Sequence, residues 1–239
     1  MKKILITILS LMSIVSSNVF ADTVCEDLSD KDQLFINDLC EQNNISENDS
    51  DICSENFIVK AKRATEGKAF IYNSSMKSPE ADLYASSYYG YPISVKVDCT
   101  KEGLSITGLA ISGISVRHIP ESIAELEHIR ELIFYDIDLV ELPPAIAKLN
   151  KLEKLSLRNN HIPIIPSFLA DMPNLKYVDF YINDIYSVDL DNLTKLLQHV
   201  DYINLGNNDL SGKTRAEIRD LVSELDKVTD RKIKAVITK

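Results

Sequence analysis

This chain of 239 residues carries 36 acidic and 26 basic side chains, a net charge of −10 at neutral pH. The acidic balance and the lack of a basic stripe argue against nucleic acid as a partner and against a helix that lies on a membrane surface. No G-x-S-x-G, H-E-x-x-H or phosphate-loop motif is present, so the enzyme classes that these motifs define are excluded.

The first 21 residues have the three-part layout of a secretory signal peptide. Lys2 and Lys3 form a basic start, an apolar run follows, and a small-x-small cleavage site ends at Ala21. A membrane anchor would need about 20 apolar residues, but serines interrupt this run too early. We expect a bacterial protein that is cleaved after Ala21, is secreted or periplasmic, and does not insert into a membrane.

Acidic residues are concentrated in residues 22–56, which hold eleven of them against the single basic Lys31. Calcium binding is one alternative, but no group of these carboxylates has the glycine and terminal glutamate of an EF-hand loop. The composition favours a solvated acidic segment, partly helical over residues 34–39, with no metal ion and no cofactor.

All four cysteines precede the repeats described below: Cys25, Cys40, Cys53 and Cys99. An even number in an exported protein favours two disulfides over metal ligation, and no C-x-x-C pair is present. Three pairings remain open at this stage. The grouping predicts that the disulfides secure the N-terminal end of the fold.

A tyrosine-rich stretch and an alternating stretch lead into the repeats. Residues 84–91 hold four tyrosines next to a Gly-x-Pro turn, and they fit either packing over the first repeat or a binding loop. Ile93, Val95 and Val97 then alternate with polar residues, which predicts a strand.

The pattern L-x-x-L-x-L-x-x-N-x-L recurs five times, with apolar first positions at Ile106, Ile129, Leu152, Leu175 and Val200. The steps between units are 23, 23, 23 and 25 residues, within the range of a known repeat class. The ninth position is asparagine in the last three units, while isoleucine replaces it in the first two.

This pattern resembles the leucine-rich repeat of the L-P-x-x-I-x-x-L type found in bacteria and plants, and the resemblance covers residues 104–212. It implies an α/β fold, a right-handed solenoid with a parallel sheet on its concave face and an internal asparagine ladder. The stretch around Cys99 is similar to the family's N-terminal cap, so residues 22–103 are expected to end in a disulfide-stabilised cap. One repeat cannot bury its apolar side alone, so the stacking of repeats supplies the core.

Residues 213–239 are expected to cap the other end. Residues 214–227 place apolar side chains at helical spacing, and residues 232–239 alternate like a strand. A helix and a closing strand would shield the last repeat, which an open solenoid requires.

Recognition is expected at the outward positions of the strands and the turns that follow them, which are positions three, five, seven and eight of each unit. The central strands gather there the partner-binding candidates Ile133, Tyr135, Arg158, Tyr177, Asp179, Tyr181 and Tyr202. Tyrosine and arginine often carry interface energy, although tyrosine is also favoured on strands for structural reasons.

We therefore expect an exported protein-binding module, with no catalytic residues, that recognises a macromolecular partner on its concave face. A protein is the expected partner, with a glycan as the alternative. A secreted inhibitor of another enzyme is the second interpretation. Catalysis by the N-terminal segment ranks third, because that segment shows no catalytic set.

Overall fold

The computed structural model of the protein describes residues 28–45, 53, 93–100, 103–229 and 231–239. The predicted signal peptide, Cys25 and the tyrosine-rich residues 84–91 lie outside these described residues, as does the side chain of Cys99.

The described residues contain three α-helices, three short 3-10 helices and seven strands. The α-helices are α1 (Asp30–Asn43), α2 (Leu190–Leu197) and α3 (Gly212–Thr229). The 3-10 helices are Glu121–Glu125, Pro144–Lys148 and Ser167–Asp171. The strands are β1 (Ile93–Thr100), β2 (Gly103–Ser112), β3 (Glu131–Tyr135), β4 (Lys154–Ser156), β5 (Tyr177–Asp179), β6 (Tyr202–Asn204) and β7 (Lys234–Val236).

The strands form one sheet in chain order, which confirms the predicted α/β solenoid with its parallel sheet. Only β1 runs antiparallel, as a hairpin with β2, and every later pair is parallel. Equivalent positions of successive repeats lie side by side, so that Leu132 pairs with Leu155 and Leu155 with Val178. The convex side carries a 3-10 helix in each of the first three repeats. In the fourth repeat α2 takes that place, and this repeat has the longer step of 25 residues.

The core lies between the sheet and the convex helices, and an asparagine ladder joins the turns of neighbouring repeats. The Asn183 amide donates to the Leu157 carbonyl of the previous repeat at 2.8 Å, and its oxygen accepts from the Ile162 N–H at 3.0 Å. Asn160 and Asn208 make equivalent bonds. In the second unit, where isoleucine replaces the asparagine, Ile137 is fully buried.

The N-terminal cap is larger and better packed than the sequence indicates. Helix α1 extends well beyond residues 34–39, and it buries Phe35 and Leu39 completely. The Asp32 carboxylate accepts a hydrogen bond from the Ile106 N–H of β2 at 2.9 Å, which fastens the helix to the sheet. A disulfide joins Cys40 of α1 to Cys53, so the expected disulfide-stabilised cap is present. The inner face of α1 therefore belongs to the core, and the expectation of a solvated segment is wrong for that face.

The C-terminal cap has the predicted helix and strand. Helix α3 buries Ile218 against the core, and Arg219 donates to the Ile237 carbonyl at 2.7 Å. The Asp226 carboxylate accepts from the Ile233 N–H at 2.9 Å, and β7 closes the parallel sheet. No helix in the described part of the chain is long and apolar enough to cross a bilayer.

Candidate binding surface on the concave face

The strand register arranges the outward side chains of the concave face in three rows that cross the sheet. The position-three row consists of Lys96, Glu131, Lys154, Tyr177, Tyr202 and Lys234. The position-five row consists of Ala110, Ile133, Ser156, Asp179 and Asn204. The position-seven row consists of Ser112 and Tyr135 on the strands, followed by Arg158, Tyr181 and Gly206 just beyond the ends of β4, β5 and β6.

Ion pairs connect the N-terminal half of the position-three row. Lys96 and Lys154 both reach Glu131, at 2.7 and 2.6 Å. Lys96 belongs to β1 and must cross β2 to do so, and it passes over Gly108. A Cβ at Gly108 would approach the Lys96 side chain to 3.1 Å, so the glycine gives this lysine its path.

Aromatic and cationic contacts continue the same row. The rings of Tyr177 and Tyr202 stack with centroids 4.3 Å apart and planes 3° from parallel. The Lys154 ammonium lies 5.5 Å from the Tyr177 centroid and the Lys234 ammonium lies 5.4 Å from the Tyr202 centroid. Such cation–π contacts contribute roughly 0.5–1 kcal/mol each at exposed sites. The row is thus a continuous set of side chains from β1 to β7.

The position-five row forms a floor beneath the other two rows. Ile133, Ser156 and Asp179 are each 0% exposed, although their strand positions face outward. Ile133 and Ala110 form a small apolar cluster apart from the main core, and Tyr135 packs against it. The Ser156 hydroxyl is buried and has no hydrogen-bond partner among the residues that the structure describes.

Asp179 lies at the centre of the polar half of the floor. Its carboxylate accepts hydrogen bonds from the Tyr181 N–H at 2.9 Å and from the Tyr177 hydroxyl at 3.1 Å. Arg158 approaches it to 3.8 Å. Burial raises the pKa of Asp179 above its ordinary value, despite the bond from Tyr181 and the charge of Arg158. Burial and the nearby Asp179 charge also raise the pKa of Tyr177, which stays protonated as a donor.

The position-seven row places an arginine on an aromatic ring. The Arg158 guanidinium lies 4.8 Å from the Tyr181 ring centroid, and the Tyr181 hydroxyl accepts from the Asn207 amide at 3.1 Å. The Arg158 side chain is 30% exposed, so the contact fixes a cation that solvent can still reach.

The structure brings five of the seven predicted site residues into one connected group: Arg158, Tyr177, Asp179, Tyr181 and Tyr202. Ile133 and Tyr135 belong instead to the separate apolar cluster toward β2. Ile133 and Asp179 are buried, so they shape this surface from below and are not available for contact.

The candidates chosen from the sequence did not include the three lysines of the position-three row or Ile182. Lys154 and Ile182 stand at outward positions of the repeat alignment, but the preference for tyrosine and arginine at interfaces left them out. The lysines on β1 and β7 belong to the caps, so the repeat alignment did not include them. The alignment also holds a signal for Ile182, because position eight has glycine, aspartate or asparagine in the other four repeats. The chain adopts a left-handed conformation at this position in all five repeats. The other four residues there are Gly113, Asp136, Asn159 and Asn207.

The three rows are more positive than the rest of the protein. They hold four cationic side chains and two carboxylates, which gives +2 with both carboxylates ionised, whereas the whole chain has −10. Such a surface attracts an acidic partner in preference to a basic one. No group of three or more metal-binding side chains occurs within the described ranges.

No known protein family and no curated protein matches the chain in sequence. Solved structures similar to it include a leucine-rich-repeat protein of Leptospira interrogans, with 23% identity over 48% of this chain and a TM-score of 0.44. The leucine-rich-repeat ectodomain of the Arabidopsis thaliana receptor kinase SOBIR1 has 20% identity, with 78% of this chain and 84% of that chain covered and a TM-score of 0.49. This chain spans 29% of the length of the Leptospira protein. The chain is a leucine-rich-repeat solenoid in fold, as its own repeats and strand register establish.

Proposed function

We propose that this protein is an exported binding module that recognises a protein partner on the concave face of its repeat solenoid. The observation that carries the proposal is the connected group of Arg158, Tyr177, Asp179, Tyr181 and Tyr202. Tyrosine and arginine held in fixed positions lose little conformational entropy on binding, and they are the side chains most often found at interface hot spots.

Export is supported by two features of the chain. The first 21 residues read as a signal peptide. The Cys40–Cys53 disulfide suits an oxidising compartment outside the cytoplasm. Protein recovered from outside the cytoplasm should begin at Asp22, and a cytoplasmic form that still begins at Met1 would contradict export.

Site-directed photo-cross-linking tests the position of the binding surface. A photoreactive phenylalanine derivative replaces Tyr202 on the concave face or, as a matched control, Tyr186, which is 63% exposed outside the three rows. We expect a defined adduct from position 202 and none from position 186. Adducts from position 186 alone would contradict the proposal.

Inhibition of another enzyme is a second use of the same surface. A rigid concave sheet can cover the active site of a bound protein. The ion pairs and the Tyr177–Tyr202 ring stack fix these side chains before binding. If the captured partner is an enzyme, its activity in the complex decides between inhibition and recognition alone.

A further inference from the structure

The fourth repeat departs at two positions from what its turns require. The first is Asp179. Its carboxylate caps the turn after β5 by accepting from the N–H two residues later, and Asn204 makes the same bond to Gly206 at 3.0 Å. A neutral amide therefore suffices for this turn, so the buried negative charge of Asp179 is not needed for it.

Asp179 itself cannot touch a partner, whereas Arg158 beside it can. Asp179 is fully buried, while Arg158 is 3.8 Å away and partly exposed. A carboxylate beside a guanidinium restricts where that guanidinium lies. Asp179 thus holds Arg158 at its place over the Tyr181 ring.

The second departure is Ile182, which has φ of 55°. This left-handed conformation suits glycine, asparagine and aspartate, and those are the residues in the other four repeats. Ile182 is also 41% exposed, so burial does not compensate for the strained backbone. Neither local conformation nor packing explains an isoleucine here.

We propose that Arg158, Tyr181 and Ile182 form the centre of the binding surface. They would receive a segment of the partner protein that presents a carboxylate side chain next to an apolar side chain. Arg158 binds the carboxylate, Ile182 contacts the apolar group, and Asp179 is a positioning residue. This inference rests on the proposed function, and the net positive charge of the three rows favours an acidic segment.

Nuclear magnetic resonance titration of the full mature chain tests the proposal with short blocked peptides. The probe contains adjacent leucine and glutamate, and two control peptides replace the glutamate with glutamine or the leucine with serine. We expect the probe to shift the signals of the Arg158 Nε–H and the Ile182 methyl groups in a saturable manner. The glutamine peptide should bind about tenfold more weakly or worse, because a charge-assisted bond is lost. Equal binding of the glutamine peptide, or no binding of the probe, would overturn the inference.

Two variants separate positioning from simple charge attraction. Asp179→Asn removes a negative charge near the site. If charge attraction alone acts, this variant should bind the acidic probe more tightly. If Asp179 positions Arg158, the variant should bind the probe severalfold more weakly. Tighter binding by this variant overturns the proposal. Arg130→Gln is the matched control, because Arg130 pairs with Glu153 outside the three rows, and we expect it to bind the probe as the unaltered protein does.

Failure of this inference and failure of the proposed function give different results. If no acidic peptide binds while position 202 still captures a partner, the concave face is the binding surface and only the chemistry inferred for its centre is wrong. If position 202 captures nothing and position 186 does, the proposed function itself is wrong.

Discussion

At the scale of single residues, the five repeats serve as internal comparisons for each other. A position that holds one kind of residue in four repeats shows what the fold requires, and a departure in the remaining repeat shows where another requirement acts. Position eight is such a case, with glycine, aspartate or asparagine in four repeats and Ile182 in the fourth. Position five varies from repeat to repeat, and in the fourth it holds the buried carboxylate of Asp179. Both residues lead to predictions about stability.

Replacing Ile182 with asparagine should stabilise the protein by about 1 kcal/mol, because asparagine tolerates the left-handed conformation that strains isoleucine. The reverse change, Asn159→Ile, places the same strain in the third repeat and should destabilise by a similar amount. Urea unfolding of both variants measures the two effects. A loss of stability in Ile182→Asn would show that the isoleucine makes a stabilising contact that outweighs the strain.

The raised pKa of Asp179 gives its replacement a defined pH dependence. Because the pKa in the folded protein lies above the ordinary value of 3.8, the folded state binds this proton more tightly than the unfolded chain. The ionised Asp179 therefore lowers the stability of the folded protein at neutral pH, and this destabilisation is lost as pH falls through the raised pKa. Asp179→Asn should be more stable than the unaltered protein at neutral pH, and the difference should shrink as pH falls toward 4.

Asn204→Asp is the matched control, since it places a carboxylate in the same turn of the next repeat. It should lower the melting temperature at neutral pH and do so less in acid. The account of the buried carboxylate would be contradicted if the stability advantage of Asp179→Asn over the unaltered protein grew as pH falls.

At the scale of secondary-structure elements, the sequence is most informative where a pattern repeats. Strand positions, register and the asparagine ladder all follow from one motif, because each repeat meets only its neighbours. Helix α1 shows the limit. Although its composition is acidic, α1 has a buried face of Phe35, Ile36 and Leu39. The sequence of the helix alone does not indicate that this face packs on the first repeat.

The burial of the position-five row was also beyond sequence reasoning. Strand alternation predicts that Ile133 and Asp179 face outward, as they do in register. Their exposure depends on how far the longer side chains in neighbouring rows extend over them. Contacts between side chains, such as Arg158 over the Tyr181 ring, set how far these neighbours extend. Strand alternation does not predict such contacts.

Reduction of the Cys40–Cys53 disulfide should loosen α1 while the central repeats stay folded. A disulfide that closes a loop of about 15 residues contributes roughly 3 kcal/mol in the loop-entropy description, and here it closes a 13-residue separation at one end of the solenoid. Hydrogen exchange before and after reduction measures this. Peptides from α1 should lose protection, and peptides from β4 to β6 serve as the control. Equal loss of protection in both regions would contradict an end-localised role.

At the scale of the whole molecule, the charges are unevenly distributed. Residues 22–56 hold most of the net negative charge, whereas the concave rows are net positive. The two caps close the ends of the solenoid with helices and leave the sheet to carry the outward tyrosines, lysines and arginine.

The affinity of the captured partner for variants of the concave face tests the central claim most directly. Tyr181→Ala and Arg158→Ala remove side chains outside the main apolar core, so both variants should fold, and each should weaken binding by about 2 kcal/mol, roughly thirtyfold in Kd. Tyr186→Ala removes an equally large exposed ring outside the three rows and should leave Kd unchanged. If Tyr186→Ala weakens binding while both concave variants bind as the unaltered protein does, the binding surface does not lie on the concave face.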